Sequence, residues 1–113
     1  MEISFETVDL KNFCSNERKL TRKFGAEFTK RFMSRLTDLR VFACVGEIPP
    51  GESWKPHELD KPGRRGQFSV RVEGGRRITF LPADVPVPTT PEGRVNWKAV
   101  KSIMIVYVGD YHD

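Results

Sequence analysis

A chain of 113 residues with 38% hydrophobic and 30% charged content suits one globular domain with a single core, spanning 1–113. No run approaches the roughly 18 consecutive apolar residues that a membrane span needs, and the polar start Met1-Glu2-Ile3-Ser4 lacks a basic-then-apolar leader, so the expected location is the cytoplasm and no membrane partner is expected. The net charge of +4 and the pI near 9.3 are moderate, and the basic residues are concentrated in two stretches.

Ile3 and Phe5 alternate with polar residues, which predicts a short opening strand. Asp9 then offers a carboxylate to cap a helix in which Leu10, Phe13, Glu17, Leu20 and Phe24 recur at spacings of three and four. Gly25 tolerates the left-handed backbone that ends helices, and it separates this helix from a second. There Phe24, Phe28, Phe32, Leu36 and Leu39 form one stripe, with Lys30, Arg31, Ser34, Arg35 and Asp38 facing elsewhere. The pair predicts a helical hairpin whose aromatic stripe is core, since base-stacking platforms need exposed rings. Eight basic residues lie between Glu17 and Arg40, against Glu17, Glu27 and Asp38. They read as a solvated outer face or as a surface for an acidic partner. Cys14 and Cys44 are far apart with no CxxC, which suits packing rather than a disulfide or metal site.

Pro49-Pro50-Gly51 breaks any regular element between Cys44 and Pro56, so a loop is predicted there. Phe68-Ser69-Val70-Arg71-Val72-Glu73 alternates, Gly74-Gly75 marks a turn, and Arg77-Ile78-Thr79-Phe80 alternates again. A strict two-residue loop would set Val72 opposite Arg77. A three-residue loop, Gly74 to Arg76, instead pairs Val72 with Ile78 and Val70 with Phe80, keeping the apolar set together. Ser69, Arg71, Glu73, Arg77 and Thr79 then share the other, exposed face. Two arginines there, within the second basic stretch from Lys55 to Arg77, suggest a phosphate site.

Pro82 to Asn96 reads as a long extended loop, anchored at its end by Trp97. The final strand, Lys101 to Asp110, is apolar on both faces and is predicted to be central in the sheet. It delivers Tyr111 and His112 beside the basic surface, where a fixed imidazole can do acid–base chemistry. No internal repeat, phosphate-binding Gly-rich loop or metal-ligand cluster is visible, and no cofactor is implied.

The ordered set His57-Glu58-Leu59, Arg64-Arg65-Gly66-Gln67-Phe68-Ser69-Val70-Arg71-Val72, Arg77-Ile78-Thr79-Phe80 and Asp110-Tyr111-His112 resembles the HigB-like branch of the RelE/ParE toxin superfamily. Trp97 and the proline-bearing loop resemble the members of that branch called plasmid-maintenance or killer proteins. The segment Leu59 to Arg64 is one residue longer than the usual pattern and contains Pro62, and Arg76 stands where an aromatic is common. The resemblance implies an α+β, RelE-like fold: an N-terminal strand and helical hairpin packed on a twisted, mainly antiparallel sheet. It implies a type II toxin that cuts mRNA at the ribosome and is silenced by a cognate helix-turn-helix-type antitoxin. RNA can be cut by attack of its own 2′-hydroxyl, given a base, an acid and cations on the phosphorane. The implied catalytic set is His57, Arg77, Tyr111 and His112, with Lys61, Arg64, Arg65 and Arg71 on phosphate and Asp110 orienting His112. Two other readings have a different outcome: a non-enzymatic superfamily member that inhibits a protein such as DNA gyrase, or a degenerate homologue that only binds antitoxin.

Overall fold

The computed structural model describes residues 1–110, so the expectations placed on Tyr111 and His112 lie outside the described residues. Strand β1 (Glu2–Phe5) forms where Ile3 and Phe5 turn inward between Glu2 and Ser4. Helix α1 (Val8–Cys14) comes next. Its cap is Thr7 rather than Asp9: the Thr7 Oγ1 accepts from the Leu10 amide at 3.0 Å, while Asp9 sits inside the first turn. The single helix expected from Leu10 to Phe24 is two helices. Ser15 closes α1, and the Asn16 side chain accepts from the Lys19 amide at 3.0 Å to start α2 (Glu17–Phe24). An asparagine that can cap offers the backbone an alternative to helix interior, and the periodicity survives the break because both pieces bury the same side. Gly25, at φ 97°, separates α2 from α3 (Ala26–Val41), which buries Phe28, Phe32, Leu36 and Leu39 as its stripe requires.

After a loop with a short 3-10 turn at Val45–Glu47 come β2 (His57–Glu58), β3 (Phe68–Glu73), β4 (Arg76–Pro82) and β5 (Ser102–Asp110). The five strands form one sheet in the order β1-β5-β4-β3-β2, with β1 parallel to β5 and every other pair antiparallel. The helices pack on one face through Phe28, Phe32, Leu36 and Leu39, against Val70, Ile78, Phe80, Ile103 and Ile105. The result is the α+β architecture anticipated. Strand β5 is interior but not central, since β4 occupies the middle; the second face of β5 is half-buried at Met104 and Val106 and exposed at Tyr107. Trp97 is buried and packs against Phe68 and Phe80, with ring centroids 4.9 and 5.9 Å away. It anchors the Pro82–Asn96 loop as expected. No helix among the described residues is long and apolar enough to cross a membrane.

The β3–β4 register differs from the expected one. Glu73 pairs with Arg76 around the two-residue turn Gly74-Gly75, and a bulge at Val72 then sets Arg71 opposite Arg77, Val70 opposite Ile78 and Phe68 opposite Phe80. The bulge adds one residue to β3, which restores the apolar pairing that a strict two-residue hairpin would have destroyed. Arg71 and Arg77 do share a face, but that face is not open. Ser69 and Thr79 are buried, and Arg77 is only 7% exposed. The Glu52–Lys55 segment folds against Arg71 and Arg77, while Thr79 lies under the walls of a separate cleft that includes Tyr107.

Candidate functional site

Backbone carbonyls that leave regular structure still need donors, and in this loop arginines supply them. Arg71 Nη1 donates to the Glu52 carbonyl at 3.3 Å, Arg35 Nη2 to that of Ser53 at 2.6 Å, and Arg77 Nη2 to that of Lys55 at 2.6 Å. The Trp54 carbonyl accepts from the Arg71 amide at 2.7 Å. Four successive carbonyls are thus tied to α3 and the sheet. Arg35 also donates through Nε to the Arg71 carbonyl at 2.9 Å and stacks 4.2 Å from the Trp54 ring centroid. Burial lowers its pKa, because a desolvated guanidinium is less willing to hold its charge. Arg35 is therefore a packed structural cation, not part of a solvated helix face.

These staples also fix the entry to β2. Lys55 takes a left-handed φ of 41°, Pro56 comes next, and His57 enters the sheet opposite Ser69. Arg77 Nε donates to the Ser69 hydroxyl, and Arg77 Nη2 lies 3.2 Å from His57 Nδ1. A guanidinium has donors only, so this contact makes Nδ1 the acceptor and assigns the ring hydrogen to Nε2. Arg71 turns back on its own hairpin, donating through Nε to the Gly74 carbonyl at 2.9 Å. Glu73 pairs with Arg76 at 3.2 Å rather than with Arg71. Lys55, Arg71, Arg77, Glu52 and Gly74-Gly75 line an open cleft of about 410 Å³ with a basic wall.

Of the predicted site residues that lie among the described residues, the structure brings His57, Arg71 and Arg77 together and distributes Lys61, Arg64, Arg65 and Asp110 around them. Lys61, Arg64 and Arg65 occupy the turn between β2 and β3, where Arg64 and Arg65 diverge. Arg64 lines a second cleft of about 220 Å³ with Gln67, Thr79, Tyr107 and Glu6, on the Arg77 face. Arg65 donates to the Asp60 carbonyl at 3.2 Å and lines a different cleft with Leu59 and Trp97. Lys61 is exposed, its carbonyl accepting from the Arg64 amide. Asp110, at the end of β5, lies 3.7 Å from Arg76 Nε, and its carbonyl accepts from the Tyr107 hydroxyl at 2.6 Å. Neither Ser69 nor Tyr107 was singled out by the sequence. Ser69 had a legible signal in its place on the arginine face. Tyr107 had none. A cleft of about 570 Å³ lies apart at the β2 edge and is mainly apolar, lined by Val45, Ile48, Pro50, Phe68 and Trp97. Among the described residues there is no cluster of three or more His, Cys, Asp or Glu placed to hold a metal.

No family model and no curated protein matches the sequence. Solved structures do match in shape. A YoeB/ParE toxin from Agrobacterium tumefaciens superposes with a TM-score of 0.54 at 11% identity, over 99% of this chain and 100% of its own. The YoeB-YefM complex from Staphylococcus aureus gives 0.53 at 17% identity, over 100% of this chain and 98% of that one. At these identities the likeness is one of fold, and this chain is built on the α+β fold of the YoeB and ParE toxin structures.

Proposed function

We propose that this chain is the toxin of a toxin–antitoxin pair, akin to the HigB-like branch, and that it is an endoribonuclease acting in the cytoplasm on mRNA at the ribosome. The observation that carries the reading is the His57–Arg77 contact on a basic sheet face next to the end of β5. The toxin folds of the two matched structures and the residue pattern from His57 to His112 support it. In this reading the 2′-hydroxyl loses its proton to His112 and attacks the adjacent phosphorus. The bond from phosphorus to the 5′-oxygen breaks, leaving a 2′,3′-cyclic phosphate and a 5′-hydroxyl. Tyr111 gives the departing 5′-oxygen its proton, and His57, whose Nδ1 accepts from Arg77, donates a hydrogen bond to that oxygen through Nε2. Arg71 and Arg77 stabilise the phosphorane, Lys61, Arg64 and Arg65 track the flanking backbone, and Asp110 orients His112. The partner that silences it is a cognate helix-turn-helix-type antitoxin.

One observation favours a second reading, in which the protein inhibits a protein target such as DNA gyrase without cutting RNA. Arg71 and Arg77 already hold loop carbonyls, the use a purely structural arginine would have. Induced expression with and without the neighbouring reading frame, combined with mapping of mRNA ends, separates the two. Growth arrest with new ends bearing cyclic phosphate, relieved by the neighbour's product, is the expected result. Arrest with DNA damage and intact mRNA would overturn the ribonuclease reading in favour of the second.

A further inference from the structure

We propose that the cleft around Tyr107 is a nucleobase subsite, in which a base of single-stranded RNA stacks on the Tyr107 ring next to the phosphate-binding arginines; the proposal rests on the ribonuclease reading. Among the described residues Tyr107 is the one large aromatic side chain that is substantially exposed, at 43%. It is also held still. Its hydroxyl donates to the Asp110 carbonyl at 2.6 Å, and its ring lies back across Gly109, where a Cβ would come within 3.0 Å of the hydroxyl oxygen. Gly109 has a φ of 149° and is buried although the strand around it faces outward, because the ring covers it. A fixed, exposed aromatic face has already lost the rotamer freedom that binding would otherwise cost.

Its surroundings suit one ligand class. Thr79 lies directly across on β4, on the same face as Arg77 and two residues from it, roughly 7 Å along a strand. The Thr79 hydroxyl is buried and has no hydrogen-bond partner among the described residues, an expense that a base edge entering the cleft would relieve. Gln67, with a donor and an acceptor on one planar group, and Arg64 complete the walls. At about 220 Å³ the cleft is below the range of drug-sized ligand sites and suits a single planar ring. Aromatic rings interleaved with arginines on a sheet face are the general means by which proteins hold unpaired bases, since every base has a face to stack.

The test is binding rather than cleavage, using uncleavable 2′-O-methyl hexanucleotides of uridine or adenosine and the same oligonucleotides with one abasic position. Wild type should bind the base-bearing forms more tightly than the abasic forms. Tyr107→Leu should bind them about 5- to 150-fold more weakly, the range expected for loss of one stacked base, and should no longer distinguish the abasic forms. Tyr107→Phe and Tyr107→Trp keep a ring and should stay near wild type, and Thr79→Val should narrow the difference between uridine and adenosine. Unchanged affinity in a folded Tyr107→Leu variant overturns the subsite. If that variant does not fold, equal binding of base-bearing and abasic forms by wild type overturns it. Absence of any oligonucleotide binding by wild type would overturn this proposal, while the ribonuclease reading would stand or fall on the mRNA ends mapped in cells. Base-dependent binding through Tyr107 with mRNA left intact after induced expression would keep the subsite and reject the enzyme.

Discussion

Arg77 Nη2 sits between His57 Nδ1, at 3.2 Å, and the Lys55 carbonyl oxygen, at 2.6 Å, so one guanidinium on β4 sets the position of the imidazole and of the loop that delivers it. Lysine carries a compact ammonium and cannot span Ser69, Lys55 and His57 at once. Arg77→Lys is therefore expected to lower stability by about 2–3 kcal/mol, the loss of one or two charge-assisted bonds from a buried position. Urea denaturation measures it. His57→Ala should leave stability nearly intact and slow RNA cleavage roughly 10²–10³-fold, the range for loss of one hydrogen-bond donor to the transition state. If Arg77→Lys unfolds at the wild-type midpoint, the arginine is not the staple described.

The turn between β3 and β4 gives a sharper local contrast. Gly74 has a φ of 58° and Gly75 does not have a positive φ, the pattern of a type II′ turn with glycine needed at the first position. A Cβ at Gly75 would meet only the Asp110 carboxylate, at an ordinary 3.5 Å. Gly74→Ala should cost about 1–2 kcal/mol and Gly75→Ala much less. Thermal melts of the two variants decide it, and equal losses would mean that the turn is not held in this conformation.

The same geometry explains why some elements were legible in the sequence and others were not. The α3 stripe, Gly25, β1 and the Trp97 anchor were legible because each depends on local spacing or on one residue's conformational freedom. The register of β3 was not, because parity arguments assume an uninterrupted ladder and the bulge at Val72 breaks it. A second irregularity had a larger effect on the candidate site. From Ile103 and Ile105, strict alternation would send Tyr107 into the core, but the β4–β5 register shifts between Thr79 and Phe80, so Val108 turns inward and Tyr107 outward. The arginine staples were invisible for another reason. A sequence displays side chains, and here the partners are the carbonyls of an irregular loop.

Cysteine chemistry offers a test of the core. Burial pushes the Cys14 thiol up to about 12, from an ordinary value of 9.0, while Cys44 is half-exposed. Thiolate, not thiol, reacts with alkylating agents. Iodoacetamide at pH 8 should label Cys44 in the native protein and Cys14 only in denaturant, as read by mass spectrometry. The folded state holds the Cys14 proton more tightly than the unfolded state. Its contribution is therefore fully present below about pH 9 and is lost as pH rises from there towards 12. Native labelling of Cys14 at pH 8 would mean that α1 opens readily.

The basic surface of α3 divides into two kinds of cation, and this alters how its role should be probed. Arg31 is exposed and pairs with Glu27 one turn back at 2.9 Å, holding that carboxylate below its ordinary range first through the hydrogen bond and then through charge. Arg35 is committed to Ser53, Arg71 and Trp54. Reversing both charges together would confuse docking with unfolding. Arg35→Glu alone should lower stability by about 2–4 kcal/mol, because it removes two bonds to carbonyls and leaves a carboxylate beside them. Lys30→Glu with Arg31→Glu should leave the melting temperature near wild type. If an acidic antitoxin surface docks on this helix, that double variant should bind the neighbouring gene's product more weakly and with a flatter salt dependence, through slower association. Affinity measured at two salt concentrations gives the answer. Wild-type values at both would place the antitoxin elsewhere and leave α3 as solvated surface apart from Arg35.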